Sequence, residues 1–363
     1  MIALALSGGG SRAIAFHLGC MRALHDRGVL EKVQVVSAVS GGSVIAGLYV
    51  YQQQSFESFD QTVVRLLQRG LQRDALRHLL SPGLLARVLA SNLVARPAAT
   101  MARLRRKKPP FRRWASRTDA LEAALREVFG ALELPEVARA GVDIVFNACE
   151  LRTGSAFRFS NELSGGWRSG TVSNNKISVA HAVTCSAAYP LFLPAIDREY
   201  SFIDGTSTQV KRVVLTDGGV YDNLGISCLE PGRDSTFSLH CYPADYIICC
   251  YAGHGQFSGE KVPFGFMGRT DASFQSIFRK VQDAGIQRLH MHKSSGTLKG
   301  FILPYLGQQD QSLPIKPPDL IRRSEVFGYP TDFAAMSGEN IRKISKRGEQ
   351  LTRILLDYYC PEL

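Results

Sequence analysis

Two apolar stretches near the start of the chain each end in a run of glycines and serines. IALAL (2–6) is followed by SGGGS, and VQVVSAV (33–39) is followed by SGGS. A segment of helical character comes after each run, at 11–27 and at 44–51. Parallel strands are joined by crossovers, usually helices, and because both their faces are buried they appear as continuous apolar runs. The repeated order predicts an α/β fold with three α/β/α layers around a mostly parallel central sheet.

The rest of the chain extends this pattern without an internal repeat. Two further strand-like runs lie at 142–148 and 245–251, and an amphipathic helix is predicted at 118–129. Two Asp-Gly turns, at Asp204 and Asp217, are expected to bracket a hairpin. With 363 residues and 45% hydrophobic content, the chain can bury a large core. We predict one domain over residues 1–363, carrying a basic helical insertion or cap at about 60–117.

Residues 61–117 carry the positive charge of the protein. Twelve arginines and two lysines stand against one acid, Asp74, which gives this segment +13 in a chain of net charge +11. Leucines interleave with the arginines at roughly helical spacing, and such a helix is suited to an anionic lipid surface. The alternative is a solvated cap whose leucines pack on the sheet. Because no recognition motif accompanies the charge, we expect no nucleic acid partner.

The first glycine run also matches a nucleotide-binding pattern. GxGxxA from Gly8 to Ala13 satisfies the dinucleotide fingerprint, which further requires an acidic residue about 20 residues on to hold the ribose. At the end of the second apolar run the chain has Ser40, between Val39 and Gly41. The sequence therefore disfavours a nucleotide-binding module, and we predict no cofactor.

The second turn, VSAVSGGS at 36–43, has the pattern of a nucleophile elbow. This sharp strand-to-helix turn requires small residues two positions before and two positions after the serine. Of the three serines only Ser40 has both, namely Ala38 and Gly42. Its hydroxyl is expected at a helix N-terminus, where the dipole and free N–H groups stabilise developing negative charge.

The first glycine run complements this serine. Gly8, Gly9 and Gly10 present main-chain N–H groups at a strand end, as an oxyanion hole for acyl transfer requires. Arg12 follows at once, and we predict that it holds a substrate phosphate through charge-assisted hydrogen bonds.

At these residues the chain resembles the patatin-like phospholipase family. The resemblance rests on three motifs and three supporting segments: SGGGSR (7–12), AVSGGS (38–43), TDGGVYDNLG (216–225), VAHAVTCSAAYPLFLP (179–194), PTDFAAMS (330–337) and KRGEQLTRILLDYY (346–359). It implies a serine acyl hydrolase with a Ser-Asp dyad and without a triad histidine or a metal. Ser40 matches the nucleophile, Asp217 the acid, and Gly8 to Gly10 the oxyanion loop. Ala38 departs from the pattern, which usually has glycine there, and we expect slight strain at this residue.

The residues around Asp217 agree with this role. It follows the apolar run 213–215 and precedes two glycines, which leave room for its carboxylate to approach Ser40. Asp222 and Asn223, further along the same motif, are expected to form a structural turn.

Histidines and cysteines leave two alternatives open. A Ser-His-Asp triad would use His254 first, and His290 with His292 forms an H-x-H pair of the kind that binds metal, although no carboxylate pattern accompanies it. The eight cysteines lie mostly in apolar stretches without a C-x-x-C pair, so we predict reduced core residues and no metal.

These features predict hydrolysis of fatty acyl esters in membrane phospholipids, as a phospholipase A or lysophospholipase. The alternatives are a neutral acylglycerol lipase and a catalytically lapsed lipid-binding scaffold. The chain lacks the pattern of a signal peptide and an uninterrupted run of about 20 apolar residues. We therefore expect a cytoplasmic protein that associates peripherally with the phospholipid membrane. Because such an activity endangers the cell's own membranes, we also expect control by a regulatory ligand or by homo-oligomer formation.

Overall fold

The computed structural model describes residues 1–107, 111–190, 192–253 and 262–363. Within them the strands are β1 Ile2–Leu6, β2 Val33–Ala38, β3 Asp143–Glu150, β4 Ser155–Ser160, β5 Ser164–Gly166, β6 Gly170–Thr171, β7 Ile196–Asp204, β8 Ser207–Asp217, β9 Tyr246–Cys250 and β10 Gly300–Ile302. The helices are α1 Gly10–Asp26, α2 Gly41–Tyr51, α3 Phe56–Arg69, α4 Leu71–Leu79, α5 Pro82–Leu104, α6 Arg117–Phe129, α7 Val179–Ser186, α8 Gly219–Asp222, α9 Gly265–Ser294, α10 Arg323–Val326 and α11 Gly338–Tyr359.

The strands form one mixed sheet. β10, β9, β1, β2 and β3 lie side by side in this order and are parallel, and β4, β5 and β6 continue the sheet with antiparallel pairing. β7 and β8 form a hairpin, and β8 also pairs with β3 in antiparallel fashion. The predicted α/β fold with a mostly parallel sheet is confirmed. The hairpin differs from the prediction, because Asp204 lies at its tip whereas Asp217 is the last residue of β8.

Alternate residues of each strand face two separate apolar layers. In β1, Leu4 and Leu6 join the larger core cluster, whereas Ala3 and Ala5 join the smaller one. The larger cluster packs the sheet against α1, α2, α7 and α11, and the smaller one packs it against Leu289 of α9 and the segment that follows α8. Helices therefore cover both faces of the sheet, as the predicted three layers require.

The C-terminal helix is an integral part of the first layer. α11 packs along α1 with two glycines at the crossing, Gly19 and Gly348, each with no room for a Cβ atom because the facing backbone occupies that space. This close approach joins the two ends of the described chain, and it places the segment that precedes α11 beside the first glycine run.

The basic segment is helical, but its leucines divide into two groups. Leu66 and Leu67 of α3 are buried in the core, as a packed cap requires. On α5, by contrast, Leu89, Leu93 and Leu104 are 53%, 74% and 77% exposed. Lys108, one of the two lysines of this segment, lies outside the described residues.

Within the described residues, no single helix is both long and apolar enough to cross a bilayer. Only α4 and α5 taken together reach that length and composition, and they are bent by 75° at the break between them.

Candidate active site

The two predicted dyad residues meet because two strands end against the same edge of β3. β2 runs parallel to β3 and ends with Ala38 opposite Phe146. β8 runs antiparallel to β3 and ends with Asp217 opposite Ala148. The ends of β2 and β8 thus approach each other along β3 with only Asn147 between their partners. Ser40, two residues beyond β2, is brought beside Asp217 in this way.

Ser40 has the backbone conformation of a nucleophile elbow. Its φ is 53° and its ψ is −119°, in the left-handed half of conformational space that a non-glycine residue rarely adopts. The turn is closed by Val39 N–H, which donates to Leu6 O at 3.0 Å, and by Gly42 N–H, which donates to Val39 O at 2.8 Å. A Cβ at Gly42 would collide with the Leu6 carbonyl, so the requirement for a small residue at this place is met.

The expectation of strain at Ala38 is wrong. Ala38 is a regular residue of β2, paired with Leu6 on one side and Phe146 on the other. The positive φ falls on Ser40, so the predicted nucleophile itself holds the unusual backbone of the turn.

Asp217 is a buried carboxyl group with a strongly altered acidity. It is 3% exposed, and Gly219 N–H donates to its Oδ1 at 2.7 Å. Burial raises the pKa of Asp217 to about 7, while the Gly219 N–H and the nearby Ser40 hydroxyl act in the opposite direction. Among the described residues, Oδ2 has no hydrogen-bond partner of ordinary geometry. The carboxyl group is therefore close to Ser40 and titrates near neutral pH.

The glycine run lies against the elbow. A Cβ on Gly8 would be 3.3 Å from Ser40 Cβ, and a Cβ on Gly41 would collide with Gly10. Gly8 N–H already donates to Asn223 O at 3.2 Å, so it is engaged. Gly9 and Gly10 have φ angles of 147° and 59°.

The free donors beside Ser40 belong to three glycines. In the part of the chain that the structure describes, the N–H groups of Gly9, Gly10 and Gly41 have no hydrogen-bond acceptor. Gly41 is the residue after the nucleophile and the first of α2, the position that supplies one oxyanion donor in nucleophile elbows. The sequence prediction included Gly9 and Gly10 but not Gly41.

Arg12 does not have the surroundings of a phosphate ligand. Its side chain is 3% exposed, and its guanidinium donates to Ala252 O at 2.9 Å and to Tyr329 O at 3.0 Å. Burial lowers the pKa of Arg12 to about 10. The predicted role is corrected accordingly: Arg12 anchors the glycine run to two distant segments of main chain.

Those distant segments hold the run in place. Ser11 N–H donates to Asp332 O at 2.6 Å, and Ser11 Oγ donates to Ala334 O at 3.0 Å. The main chain of Asp332 also fills the space where Gly10 would carry a Cβ. The loop between β1 and α1 is thus supported by the segment that leads into α11.

Two further polar residues link the elbow to the acid turn. Ser186 Oγ accepts from Ser40 N–H at 3.0 Å, and Ser186 O accepts from Gly218 N–H at 3.3 Å. Asn147 Nδ2 donates to Ala38 O at 3.0 Å, and the Arg158 guanidinium donates to Asn147 Oδ1. The sequence reasoning missed both residues. Ser186 lay in a quoted supporting segment, whereas Asn147 was one polar residue in an apolar strand.

Asp222 forms the predicted structural turn, because its carboxylate accepts from the N–H groups of Leu224, Gly225 and Ser227. Asn223 lies nearer to the site: its Oδ1 would be 2.5 Å from a Cβ on Gly8 and 2.8 Å from one on Gly219.

Helix α9 passes over the acid turn. The Phe278 ring would lie 3.2 Å from a Cβ on Gly219, and Gln275 donates to the Tyr189 hydroxyl at 3.0 Å. Ser40 itself is only 7% exposed.

The histidine alternatives have other surroundings. Within the described ranges no histidine hydrogen-bonds to Ser40 or Asp217, and His254 lies outside them. His290 meets the Phe301 ring edge-on, and His292 Nδ1 lies 3.0 Å from Thr297 Oγ1. The eight cysteines are unpaired, and all but Cys241 are buried, which confirms the predicted core role.

Comparisons with known proteins bear on the family and the fold of this chain. A family model described as patatin-like phospholipase matches residues 4–228, more than half of the chain. Human GIVD cytosolic phospholipase A2 is similar with a TM-score of 0.53 at 13% identity, over 98% of this chain and 60% of its own. VipD from Legionella pneumophila is similar with a TM-score of 0.41 at 14% identity, over 98% of this chain and 66% of its own. No curated protein sequence matches. By the shares given above, this chain spans less than two thirds of the length of GIVD cytosolic phospholipase A2 or of VipD.

Proposed function

The chain belongs to the patatin-like phospholipase family, and on this premise we propose that it hydrolyses fatty acyl esters of membrane phospholipids through an acyl-enzyme on Ser40. The observation that carries the proposal is the juxtaposition of a positive-φ serine with a buried carboxyl group, at the point where β2 and β8 end against β3. Strained serine elbows and carboxyl groups of raised pKa are both typical of catalytic sites.

In the first half-reaction Ser40 Oγ attacks the ester carbonyl, and the Asp217 carboxylate takes the hydroxyl proton. The negative charge that develops on the carbonyl oxygen is stabilised by the N–H groups of Gly9, Gly10 and Gly41. As the C–O bond breaks, Asp217 returns the proton to the leaving alcohol, and the acyl group remains on Ser40.

In the second half-reaction a water attacks the acyl-enzyme while Asp217 takes its proton. Collapse of this second tetrahedral intermediate releases the fatty acid and restores the Ser40 hydroxyl. An aspartate of ordinary pKa is a weak base, and burial makes Asp217 stronger by raising its pKa to about 7, which lies near a neutral working pH.

Release of fatty acid from phospholipid vesicles tests this proposal. We expect Ser40→Ala and Asp217→Asn each to reduce the rate by at least about a thousandfold, with unchanged circular dichroism. Asp204→Asn is the matched control, because it changes the other Asp-Gly turn, which is exposed at the tip of the β7–β8 hairpin. Activity in Ser40→Ala at the wild-type level would overturn the mechanism. Vesicle binding without hydrolysis by the wild type would instead favour the lapsed scaffold.

A covalent probe identifies the nucleophile directly. Human GIVD cytosolic phospholipase A2 has been solved in complex with methyl γ-linolenyl fluorophosphonate. We expect the same compound to modify this protein at Ser40, as found by mass spectrometry of its peptides. Modification of Ser43, in the same turn, would contradict the assignment.

The head group is tested by substrates that share their acyl chains. Since Arg12 is engaged by main-chain carbonyls, the preference for phospholipid rests on the family and on the charge of residues 61–117. We expect faster release from phosphatidylglycerol than from diacylglycerol. The reverse order would favour the neutral acylglycerol lipase.

The membrane itself is proposed as the partner, bound through α5 and the start of α9. α5 exposes Leu93 and Leu104 among arginines, and α9 exposes Phe266 and Ile277, so apolar insertion and charge attraction act together. We expect binding to anionic vesicles to weaken with salt and with replacement of Arg103, Arg105 and Arg106 by Gln. Equal binding after that replacement would exclude α5 as the docking element.

A further inference from the structure

A pocket lies in the basic segment, away from Ser40 and Asp217. It has a volume of about 280 Å³ and is enclosed by the end of α4, by α5 and by the residues just before α6. None of the residues that line it belongs to β2, α2 or β8, which carry Ser40 and Asp217.

Two kinds of side chain line this pocket. Leu80, Leu85 and Val88 give it an apolar wall, and Arg96, Arg113 and Arg117 also line it, close enough together for their charges to repel. The segment that carries Arg113 is held against α5 by a hydrogen bond from Ala115 N–H to Ser91 Oγ at 3.4 Å. This contact brings Arg96 of α5 to Arg113 and Arg117, which are neighbours in the segment before and at the start of α6.

The arginines around this pocket differ in their carboxylate partners. Arg77, Arg112 and Arg198 nearby each form an ion pair, with Glu127, Glu199 and Asp119. Arg96, Arg113 and Arg117 form no ion pair among the residues that the structure describes. The pKa of Arg113 is lowered by its burial and by the like charges of Arg96 and Arg117, while the Asp197 carboxylate acts in the opposite direction. A bound anion would relieve this repulsion.

We propose that the pocket binds a long-chain fatty acid, with its carboxylate on Arg96, Arg113 and Arg117 and its chain on the leucine wall. A guanidinium pairs with a carboxylate through two parallel hydrogen bonds, which favours arginine at such a site. The volume of about 280 Å³ lies just below the roughly 300–1,000 Å³ of small-molecule sites, which suits one acyl chain and not a diacyl lipid. The choice of a fatty acid rests on the proposed function, because the fatty acid is the product of that reaction.

The protein has a natural reporter for this site. Trp114 follows Arg113 directly, and Trp167 is the other tryptophan of the chain. In a Trp167→Phe background the intrinsic fluorescence therefore comes from Trp114 alone. Adding Ser40→Ala removes turnover, so binding is measured whether or not the protein is a hydrolase.

Dodecanoate at submicellar concentration is the test compound. We expect saturable change in Trp114 fluorescence, with affinity falling about fourfold for each buried methylene removed in decanoate and octanoate. Dodecanol, which lacks the charge, should bind at least about tenfold more weakly. Equal binding of dodecanol and dodecanoate would overturn the proposal. Competition by inorganic phosphate as strong as by dodecanoate would also overturn it, because it would indicate a simple anion site.

Variants locate the binding. We expect Arg96→Gln and Arg113→Gln each to weaken dodecanoate binding by about tenfold or more. Arg87→Gln, on the exposed part of α5 and outside the pocket, is the matched control and should bind as before. Thermal unfolding of each variant checks that it is folded. Unchanged dodecanoate binding in both pocket variants would refute the site. Fatty acid release by the wild type would still support the proposed function, because it does not depend on this pocket.

Discussion

Asp217 links the stability of this protein to its chemistry. Its pKa is raised from 3.8 to about 7 because the folded chain removes the carboxyl group from water. Between these two values the folded protein keeps a proton that the unfolded chain has lost. The contribution of Asp217 to the free energy of unfolding should therefore be fully present below about pH 4, fall by about 1.4 kcal/mol for each pH unit up to about pH 7, and be lost above it.

Asp217→Asn removes this titration while keeping the shape of the side chain and an oxygen for the Gly219 N–H. Relative to the wild type, the variant should gain about 3 kcal/mol in free energy of unfolding between about pH 5 and about pH 8. The two proteins differ in one titrating group only, so pH effects from all other residues cancel in this comparison.

Denaturant unfolding followed by circular dichroism at the two pH values measures the change. Asp204→Asn is the control, because Asp204 is exposed and should give no such gain. A difference between wild type and Asp217→Asn that stays constant within about 0.5 kcal/mol would refute the reasoning from burial. The rate of ester hydrolysis provides a second readout, since the proposed mechanism requires the Asp217 carboxylate and the rate should rise with pH through a midpoint of about 7.

Three further predictions concern the supports of the site. Gly42→Ala should lower the free energy of unfolding by about 3 kcal/mol, because the added methyl group collides with Leu6 O. Gly83→Ala is the control: nothing lies within 4 Å of the added methyl group, so its free energy of unfolding should stay within about 1 kcal/mol of the wild type. Thermal or denaturant unfolding measures both. Arg12→Lys should slow hydrolysis of phospholipid and of an uncharged p-nitrophenyl ester by the same factor, about tenfold or more, because it loosens the glycine run. A loss confined to phospholipid would restore Arg12 as a phosphate ligand. Ser186→Ala should slow fluorophosphonate modification of Ser40 by about ten- to a hundredfold, since Ser40 N–H loses its acceptor; an unchanged rate would assign Ser186 to packing alone.

The parts of the site that sequence reasoning predicted are those determined by neighbours in the chain. An apolar strand, a turn of small residues and a helix are local patterns, so β1, β2, the two turns and the choice of Ser40 could be predicted from 50 residues of sequence. Helix starts were less certain: α2 begins at Gly41 rather than Val44, because the glycines after Ser40 are already helical.

What could not be predicted depends on long-range pairing. Asp217 reaches Ser40 only because β8 turns antiparallel and continues the edge of β3 where β2 ends. For Arg12, the sequence indicated a charge but not its acceptors, which are carbonyls at residues 252 and 329. Ser186 and Asn147 contribute single hydrogen bonds across the fold, and no spacing in the sequence indicates them.

The support of the glycine run by Tyr329, Asp332 and Ala334 has a consequence for the order in which the protein is made. Ser40 and Asp217 both precede these supports in the chain, Asp217 by about a hundred residues, so they are synthesised well before them. We expect a nascent chain, or a product cleaved before residue 329, to contain the reactive serine and still be inert. The glycine run would gain its supports only after residue 334 has been synthesised.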